Sequence, residues 1–391
     1  MRIERLTVSN FRNLADQTLL FSPGVNLLIG ENGQGKTNLL ESIQFFKFAR
    51  SFRTSHDTEL IQFKADFCRA EVQCNFDGGI SHVGDPRNDS DSDHHPYSDT
   101  FSAAIEADGT KHIKVSGKDL ARRSDLVGHF PCVLFGPQDL RIVTGGPDTR
   151  RRFVDMVGSM TDPAYIRIAR EYKRILAQRN AALKARAGEY ELNIWNEKIV
   201  EAGAALIEKR RELVELLDMQ MLVHARELDS PFEFKMVYDS ELLKQAEQMK
   251  GENDGPSLAD VFAIALGSLE SAERRRMTTL AGPHRDDVSL FMNGTDLRKF
   301  GSQGQRRLFA ILLKLGEVSH LERELKEPSV LLLDDVFSEF DREIIKKLEH
   351  LLDGSRQVFV TSPVDLEWAK SDNATVWRVS NGMLSNESSH P

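Results

Sequence analysis

An α/β fold, with a mixed sheet, an antiparallel β region and an inserted helical lobe, is predicted by three patterns in this chain. The apolar run Val25–Ile29 leads into a glycine-rich turn and then into a helical pattern. A second apolar run, residues 330–333, ends in two aspartates. Between the two runs lies a long stretch with an apolar residue every three or four positions, which is typical of helices. We therefore expect an α/β domain whose two parts flank a helical insertion.

The glycine-rich turn has the spacing of a P-loop, Gly-x-x-x-x-Gly-Lys-Thr, between a strand and a helix. Glycines let consecutive backbone N–H groups surround a β-phosphate, and the helix N-terminus adds its positive dipole end. Lys36 can reach the β- and γ-phosphate oxygens, and the Thr37 hydroxyl can ligate Mg²⁺. The alternative, an ordinary glycine turn, does not require these flanks. The expected cofactors are ATP and Mg²⁺, and the predicted nucleotide-binding residues are Gly30, Glu31, Asn32, Gly33, Gln34, Gly35, Lys36, Thr37 and Asn38.

The composition is that of a globular protein, with 391 residues of which 40% are apolar and 28% charged. No apolar stretch approaches the length of about 18 residues that crosses a membrane, and no signal-peptide core is visible, so we expect a cytoplasmic protein without a membrane partner. Cys68, Cys74 and Cys132 are spaced too irregularly for disulfides or zinc and are expected to be reduced and buried. The net charge of −9 argues against a uniformly basic nucleic-acid binder but allows a local basic face.

Alternating runs predict a two-stranded entry before the P-loop and an antiparallel β region over residues 67–115, with strands at 68–76, 101–106 and 111–115. Residues 77–100 are polar and poor in large apolar side chains, and we expect a flexible surface loop. Aspartates there could bind a metal with His82, His94 and His95, but the irregular spacing favours a solvated loop. Residues 148–229 have helical periodicity. The expected domains are 1–147 and 278–391 for the two ATPase parts and 148–277 for the helical lobe.

The second apolar run has the form of a Walker B strand, because Asp334 and Asp335 follow it directly. Asp334 would hold Mg²⁺, and Asp335 stands where ATPases of the ABC type usually carry a glutamate that polarises the attacking water. The predicted catalytic residues are Asp335 and Lys36, and the predicted metal ligands are Thr37 and Asp334. The alternative, two aspartates that simply end a strand, leaves their pairing with a P-loop unexplained.

A segment before the Walker B strand resembles the signature motif of ABC ATPases. Ser302, Gln303 and Gly304 stand at the expected start of a helix, where free N–H groups suit the γ-phosphate bound by an opposite subunit. The alternative is a plain helix cap, since Ser302 and Gln305 also form a capping-box pattern. Residues 338–341 look like the D-loop of such a dimer. P-loop, signature, Walker B and D-loop thus follow in the order of an ABC-type head.

With these motifs in place, the chain resembles the RecF family of bacterial recombination mediator ATPases over nearly its whole length. The most discriminating segment is Gly-Pro-His-Arg-Asp-Asp at residues 282–287, which transporter ATPases and long-armed SMC proteins do not carry in that form. The other segments that carry the resemblance are residues 6–13, 30–41, 52–54, 136–140, 150–155, 302–305 and 331–336.

The resemblance implies a weak, DNA-stimulated ATPase that forms a homodimer on ATP and is released by hydrolysis. It implies binding to double-stranded and gapped DNA, partnership with RecR and RecO, and help in loading RecA at single-strand gaps and duplex junctions. Gln138 is assigned to the nucleotide site as a Q-loop residue, although the family commonly has Glu there. Phe52 stands where the family usually has His, and no switch histidine follows Thr361.

Other functions are alternatives with different requirements. A transporter ATPase subunit needs a Leu-Ser-Gly-Gly signature and a switch histidine, neither of which is present. An SMC-like tethering protein needs hundreds of heptad residues. Another ABC-like ATPase of DNA repair or phage defence, if coupled to a nuclease, needs an added acidic metal-binding domain.

A basic stretch is the predicted DNA contact. Between Arg141 and Arg186 there are 11 Lys or Arg and 4 Asp or Glu, which makes one helical face a phosphate track. Arg150, Arg151 and Arg152 are the predicted DNA-binding residues, with the basic residues 274–276 as a second choice. The alternatives are a solvated helix face or a brace for the helical lobe.

Overall fold

The computed structural model describes residues 1–78, 96–250, 255–339, 356–366 and 374–387. The chain forms two compact units, one made of Met1–Asp139 with Glu317–Pro391 and the other of Leu140–Gly316. We call them the sheet unit and the helical unit.

The described strands and helices alternate in blocks along the chain. The strands are β1 (Arg2–Ser9), β2 (Gln17–Leu20), β3 (Val25–Ile29), β4 (Phe67–Phe76), β5 (Tyr97–Glu106), β6 (Lys111–Val115), β7 (Lys118–Asp119), β8 (Cys132–Phe135), β9 (Phe234–Asp239), β10 (Asp287–Met292), β11 (Thr295–Asp296), β12 (Val330–Asp334), β13 (Val358–Ser362), β14 (Ala374–Ser380) and β15 (Met383–Asn386). The helices are α1 (Lys36–Phe48), α2 (Leu140–Thr144), α3 (Pro147–Thr161), α4 (Pro163–Lys184), α5 (Glu189–Glu227), α6 (Glu241–Gln248), α7 (Leu258–Arg276), α8 (Leu297–Phe300) and α9 (Gln303–Leu325).

The sheet unit contains two six-stranded sheets. One is antiparallel, in the order β2-β1-β4-β5-β6-β7, and the other is mixed, in the order β15-β14-β3-β13-β12-β8, with β14, β3, β13, β12 and β8 parallel. Of these parallel strands, β3, β8, β12 and β13 are buried on both faces, which explains their continuous apolar runs, whereas β14 alternates between buried and exposed residues. The two-stranded entry before the P-loop and the antiparallel β region are therefore confirmed.

Helix α1 lies in the core that the two sheets share. Phe46 packs against Phe101 of the antiparallel sheet and against Phe130, and α1 also contacts β8, β12 and β13 of the mixed sheet. A helix that is apolar on most sides is buried rather than amphipathic. Its buried ammonium, Lys47 Nζ, is neutralised by Glu317 Oε1 at 2.8 Å. This packing holds the N-terminus of α1 in place at the P-loop.

The helical unit is built on an antiparallel helix pair. Helix α4 packs along α5, to which it is joined by residues 185–188. Helix α5 is 39 residues long, which is far shorter than the hundreds of heptad residues that an SMC-like tethering protein needs. A small sheet, β11-β10-β9, completes the unit.

The unit boundaries differ from the predicted domain boundaries at 147 and 277. The helical unit extends to Gly316, because β10 pairs with β9 and ladder hydrogen bonds tie residues 287–292 to residues 234–239. The signature segment therefore belongs to the helical unit.

The predicted loop at residues 77–100 is also shorter than expected at its C-terminal end. Strand β5 begins at Tyr97 rather than Phe101, because Tyr97 pairs with Phe76 and stacks on its ring at 4.8 Å between centroids. The histidines named as metal candidates, His82, His94 and His95, lie outside the described residues. The three cysteines are buried and free, as predicted. No helix in the described ranges has both the length and the apolarity needed to cross a membrane.

Candidate nucleotide site

The P-loop turns between β3 and α1 with glycines at the positions that no other residue fits. Gly35 is the N-cap of α1 at φ 114°, a left-handed conformation that strains any residue with a Cβ. A Cβ on Gly30 would lie 2.3 Å from the carbonyl oxygen of Val379. The loop can therefore present backbone N–H groups closely and continuously, which is what phosphate binding requires.

Lys36 lies inside this loop rather than on its outside. The side chain is only 7% exposed, and its ammonium donates to the carbonyl oxygens of Gly30 and Glu31. Burial lowers the pKa of the Lys36 ammonium, while the charges of Asp335 and Asp334 act in the opposite direction. A cation held between the loop and two carboxylates is placed to interact with phosphate oxygens.

Two hydroxyls converge on the Walker B aspartate. Thr37 Oγ1 donates to Asp334 Oδ1 at 2.8 Å, and Thr361 Oγ1 donates to the same oxygen at 3.0 Å. Burial raises the pKa of the Asp334 carboxyl, against the lowering effect of these two hydrogen bonds. A hydroxyl and a carboxylate at this distance are the hard oxygen donors that suit Mg²⁺, so the residues fit the predicted metal.

Asp335 has an unusual backbone. Its φ is 53°, in the left-handed region, and its N–H donates to Thr361 Oγ1 at 2.9 Å. A non-glycine residue in this region costs about 1 kcal/mol, and such residues are enriched at functional sites. Asp334 is the last residue of β12 and has an extended backbone, whereas Asp335 has a left-handed backbone that turns the chain away from the strand.

Gln138 follows the strand next to β12. It lies in a short turn after β8, whose Phe135 is in register with Leu333 of β12. Because both strands are parallel, Gln138 and Asp334 lie at the same edge of the sheet. The structure thus brings Gln138, the P-loop and both aspartates to one edge of the sheet unit.

Asn13 and Arg53, to which the sequence assigns no chemical role, bond to the predicted nucleotide-site residue Asn38 at the P-loop mouth. Asn13 Nδ2 donates to the Gly33 carbonyl at 2.8 Å, and Asn38 Nδ2 donates to Asn13 Oδ1 at 2.6 Å. Arg53 Nη1 donates to Asn38 Oδ1 at 2.7 Å, and its charge also lowers the pKa of the Asp334 carboxyl. Thr361 was noted only for the lack of a histidine after it. The sequence indicated these positions only indirectly, because Asn13 and Arg53 lie in two segments that carry the family resemblance, residues 6–13 and 52–54.

The signature segment has the geometry of a helix cap and is also exposed. Ser302 N donates to Gln305 Oε1 at 2.7 Å, and Gln305 N donates to Ser302 Oγ at 3.3 Å, which is a reciprocal capping box. Ser302, Gln303 and Gly304 are all exposed. The capping box therefore exists, and the first turn of α9 still faces solvent. Of the predicted D-loop, residues 340 and 341 lie outside the described part of the chain.

The predicted DNA-binding arginines differ strongly in exposure. Arg150 is 3% exposed and forms two hydrogen bonds with Asp287, at 2.7 and 2.8 Å, while Nη1 donates to the Gly145 carbonyl at 2.7 Å. Arg151, 12% exposed, pairs with Asp148 and donates to the Asp286 carbonyl. Only Arg152 is exposed. Burial and these hydrogen bonds hold the Arg150 guanidinium in the interior of the helical unit, which argues against its predicted DNA contact.

The segment at residues 282–287 is the partner of these and other buried side chains. Tyr172 Oη donates to His284 Nδ1 at 2.6 Å, while His284 Nε2 donates to the Thr279 carbonyl, and burial lowers the histidine pKa to about 4. Tyr238 Oη donates to Asp286 Oδ2 at 2.7 Å, and burial raises the pKa of that carboxyl to about 6. The segment that best marks the family resemblance is thus a buried polar network that fixes α4, β9 and α3 to one another.

We expect Arg150→Met to unfold at lower temperature and denaturant than the unaltered chain. Removing the guanidinium takes the Arg150 hydrogen bonds away from the partly buried Asp287 carboxylate and from the Gly145 carbonyl, a loss of about 3 kcal/mol for a broken buried pair. Urea and thermal unfolding measure the loss, and the matched control Arg152→Met, at an exposed site, should change stability by less than about 0.5 kcal/mol. Equal stabilities of the two variants would contradict a bracing role for Arg150.

Known proteins resemble this chain from end to end. A family model described as RecF/RecN/SMC N terminal domain matches residues 2–383. The DNA replication and repair protein RecF of Halalkalibacterium halodurans is 35% identical over 390 residues, which cover 98% of this chain and 99% of that protein.

Solved structures give the same result for the fold. The structure of the recombination mediator protein RecF with ATP in the RecFOR pathway matches with a TM-score of 0.85 at 32% identity, covering 98% of this chain and 97% of that chain. An Smc head bound to the C-winged helix domain of ScpA matches with a TM-score of 0.54 at 14% identity, covering 99% and 97% of the two chains. The second likeness concerns the fold alone. The predicted ABC-type head with a helical insertion is confirmed.

Proposed function

This chain belongs to the RecF family, and we propose that it is an ATP-dependent, DNA-binding recombination mediator of replication-linked DNA repair. ATP joins two copies, and hydrolysis separates them. The dimer acts in the cytoplasm at single-strand gaps and at junctions of double- and single-stranded DNA. RecR, acting with RecO, is the proposed protein partner, and loading of RecA is the proposed outcome.

The observation that carries the nucleotide part of this proposal is the 2.8 Å contact between Thr37 and Asp334, with Lys36 beside them. These three side chains come from a P-loop and from a strand end that are 297 residues apart in sequence. Thr37 and Asp334 would hold Mg²⁺, which when bound neutralises charge on the β- and γ-phosphates. Lys36 holds the phosphates, and Asp335 orients the attacking water. The proposed activity is a weak ATPase that DNA stimulates.

The proposal for DNA and protein partners rests on the relatives. A protein 35% identical to this chain is named for DNA replication and repair, and a similar structure is that of a recombination mediator with ATP. The phosphate contacts would come from exposed basic residues of the helical unit, of which Arg152 is one.

ATP-driven dimerisation tests this proposal and separates the signature role of Ser302 from its capping role. We expect light scattering to show ATP-dependent dimers that gapped DNA stabilises, and we expect Ser302→Arg to bind ATP but remain monomeric without hydrolysing it. The arginine would place bulk and positive charge where the γ-phosphate of the opposite subunit docks. In the plain capping role, Ser302→Arg would cost only about 1 kcal/mol of stability.

The matched control is Ser302→Ala, which removes the capping hydroxyl without adding bulk. It should melt at the same lowered temperature as Ser302→Arg and yet form dimers to a greater extent. Dimers of Ser302→Arg as stable as those of the unaltered chain would leave Ser302 as a helix cap only.

A further inference from the structure

A pocket of about 510 Å³ lies in the helical unit and is lined by Leu183, Arg186, Arg274, Arg275 and Met277. Arg274 and Arg275 belong to the basic residues named above as the second choice for a DNA contact. It forms where two helices end. Arg186 follows the C-terminus of α4 with φ 54°, and Met277 caps the C-terminus of α7 with φ 52°. Both left-handed residues turn the chain sharply, which brings three guanidinium groups around one apolar floor of Leu183 and Met277.

The three arginines of the pocket carry more positive charge than is needed to neutralise the two helix C-termini. Each helix C-terminus carries roughly half a negative charge, so two ends need about one positive charge between them. Arg274 already pairs with Glu270 at 2.8 Å and donates to the Ala187 carbonyl at 3.1 Å. Arg186 and Arg275 are exposed and form no ion pair with any described residue. The pocket therefore keeps an excess of positive charge that is free to bind an anion.

The exposed face of α4 extends this charge along the surface. Its exposed basic residues fall within an arc of roughly 120° at 3.6 residues per turn: Arg167, Arg170, Lys173, Arg174 and Lys184. Ala177 and Ala181 lie in the same arc and are exposed, so a ligand can approach the helix closely between the basic side chains. Glu171 is the one exposed acid of α4, and it lies outside the arc.

We infer that the pocket and this face of α4 together bind the phosphate backbone of DNA. This inference rests on the function proposed above, and it replaces Arg150 as the origin of the phosphate track. The basic residues of α4 from Arg167 to Lys184 span about 25 Å at 1.5 Å per residue. Together with the pocket they therefore fit a DNA backbone, which carries many phosphates, better than a single small anion. The apolar floor suits the sugar between two phosphates. Since the contacts are to phosphates, binding is independent of base sequence.

The test is the salt dependence of DNA affinity, measured by fluorescence anisotropy with a labelled gapped duplex at several salt concentrations. R186Q/R275Q should lower the slope of log affinity against log salt by about 2 units, because each lost phosphate contact removes about 0.9. R186K/R275K keeps both charges and should keep the slope. The matched control R211Q removes an exposed arginine of α5 that already pairs with Glu208 and Glu215, and should leave the slope unchanged.

The outcomes separate this inference from the proposed function. If the unaltered chain does not bind DNA, the proposed function fails and this inference with it. If the unaltered chain binds DNA and R186Q/R275Q has the same slope and melting temperature, only this inference is overturned, and an acidic protein segment becomes the better occupant. Should R186Q/R275Q melt early, R170Q/R174Q provides the same test, because both side chains are exposed on α4.

Discussion

Replacing Lys36 by alanine is expected to lower the affinity for ATP by at least about 100-fold while the fold persists. Lys36 supplies the ammonium inside the P-loop, between the loop carbonyls and the two aspartates. Losing a buried charge that pairs with phosphate costs about 3 kcal/mol or more, and each 1.4 kcal/mol is about tenfold in affinity. Without the lysine, Asp334 and Asp335 also repel the triphosphate more strongly.

Isothermal titration with ATP and Mg²⁺ measures this effect, and the melting temperature without nucleotide checks the fold. The matched control is Lys118→Ala, which removes an exposed lysine of β7 in the same unit. It should bind ATP as the unaltered chain does. An affinity of Lys36→Ala within about threefold of the control would show that the loop does not hold the phosphates.

Asp335→Asn is expected to keep ATP binding and to slow hydrolysis by about 100-fold or more, the range for loss of a general base. Asparagine has the same shape and tolerates the left-handed region, so the φ of 53° and the hydrogen bond from its N–H to Thr361 should survive. The change is then confined to the side-chain end, where the negative charge is lost and one acceptor oxygen becomes an NH₂ donor. Because binding continues without hydrolysis, ATP-bound dimers should accumulate.

The comparison variant is Asp334→Asn, at the neighbouring carboxylate. Asp334 Oδ1 accepts hydrogen bonds from the hydroxyls of Thr37 and Thr361. Loss of the Asp334 charge should therefore weaken the binding of ATP with Mg²⁺, and not hydrolysis alone. Single-turnover hydrolysis together with nucleotide titration distinguishes the two effects. The assignment of roles is wrong if Asp335→Asn hydrolyses at the normal rate, or if both variants lose ATP binding equally.

Local motifs were predictable because their chemistry depends on consecutive residues. The P-loop requires glycines that can adopt conformations such as the φ of 114° at Gly35, and it requires a strand before it and a helix after it. Both requirements are visible over about twenty residues of sequence. The Walker B strand is visible for a similar reason, because a strand buried on both faces reads as a continuous apolar run that the two aspartates end.

Contacts between distant residues were not predictable in the same way. Arg150 and Arg152 are equivalent in a count of charges, yet one is 3% exposed and bonded to Asp287 while the other faces solvent. The partner lies 137 residues away, and only the pairing of β10 with β9 and the packing of α3 on β10 bring it close. The helical unit extends to Gly316 rather than to the predicted boundary at 277 for the same reason.

The sequence by itself determined the family and the fold class, and it predicted the residues proposed to hold a nucleotide, because glycine spacing, helical periodicity and buried strands are local properties of the chain. The tertiary structure alone decided which charges are available. Arg150 is buried, and Arg151 is mostly buried and paired with Asp148. In contrast, the turns after α4 and α7 place Arg186, Arg274 and Arg275 around one pocket. Whether a charge is neutralised depends on its distance from other charges in space, and sequence separation does not specify that distance.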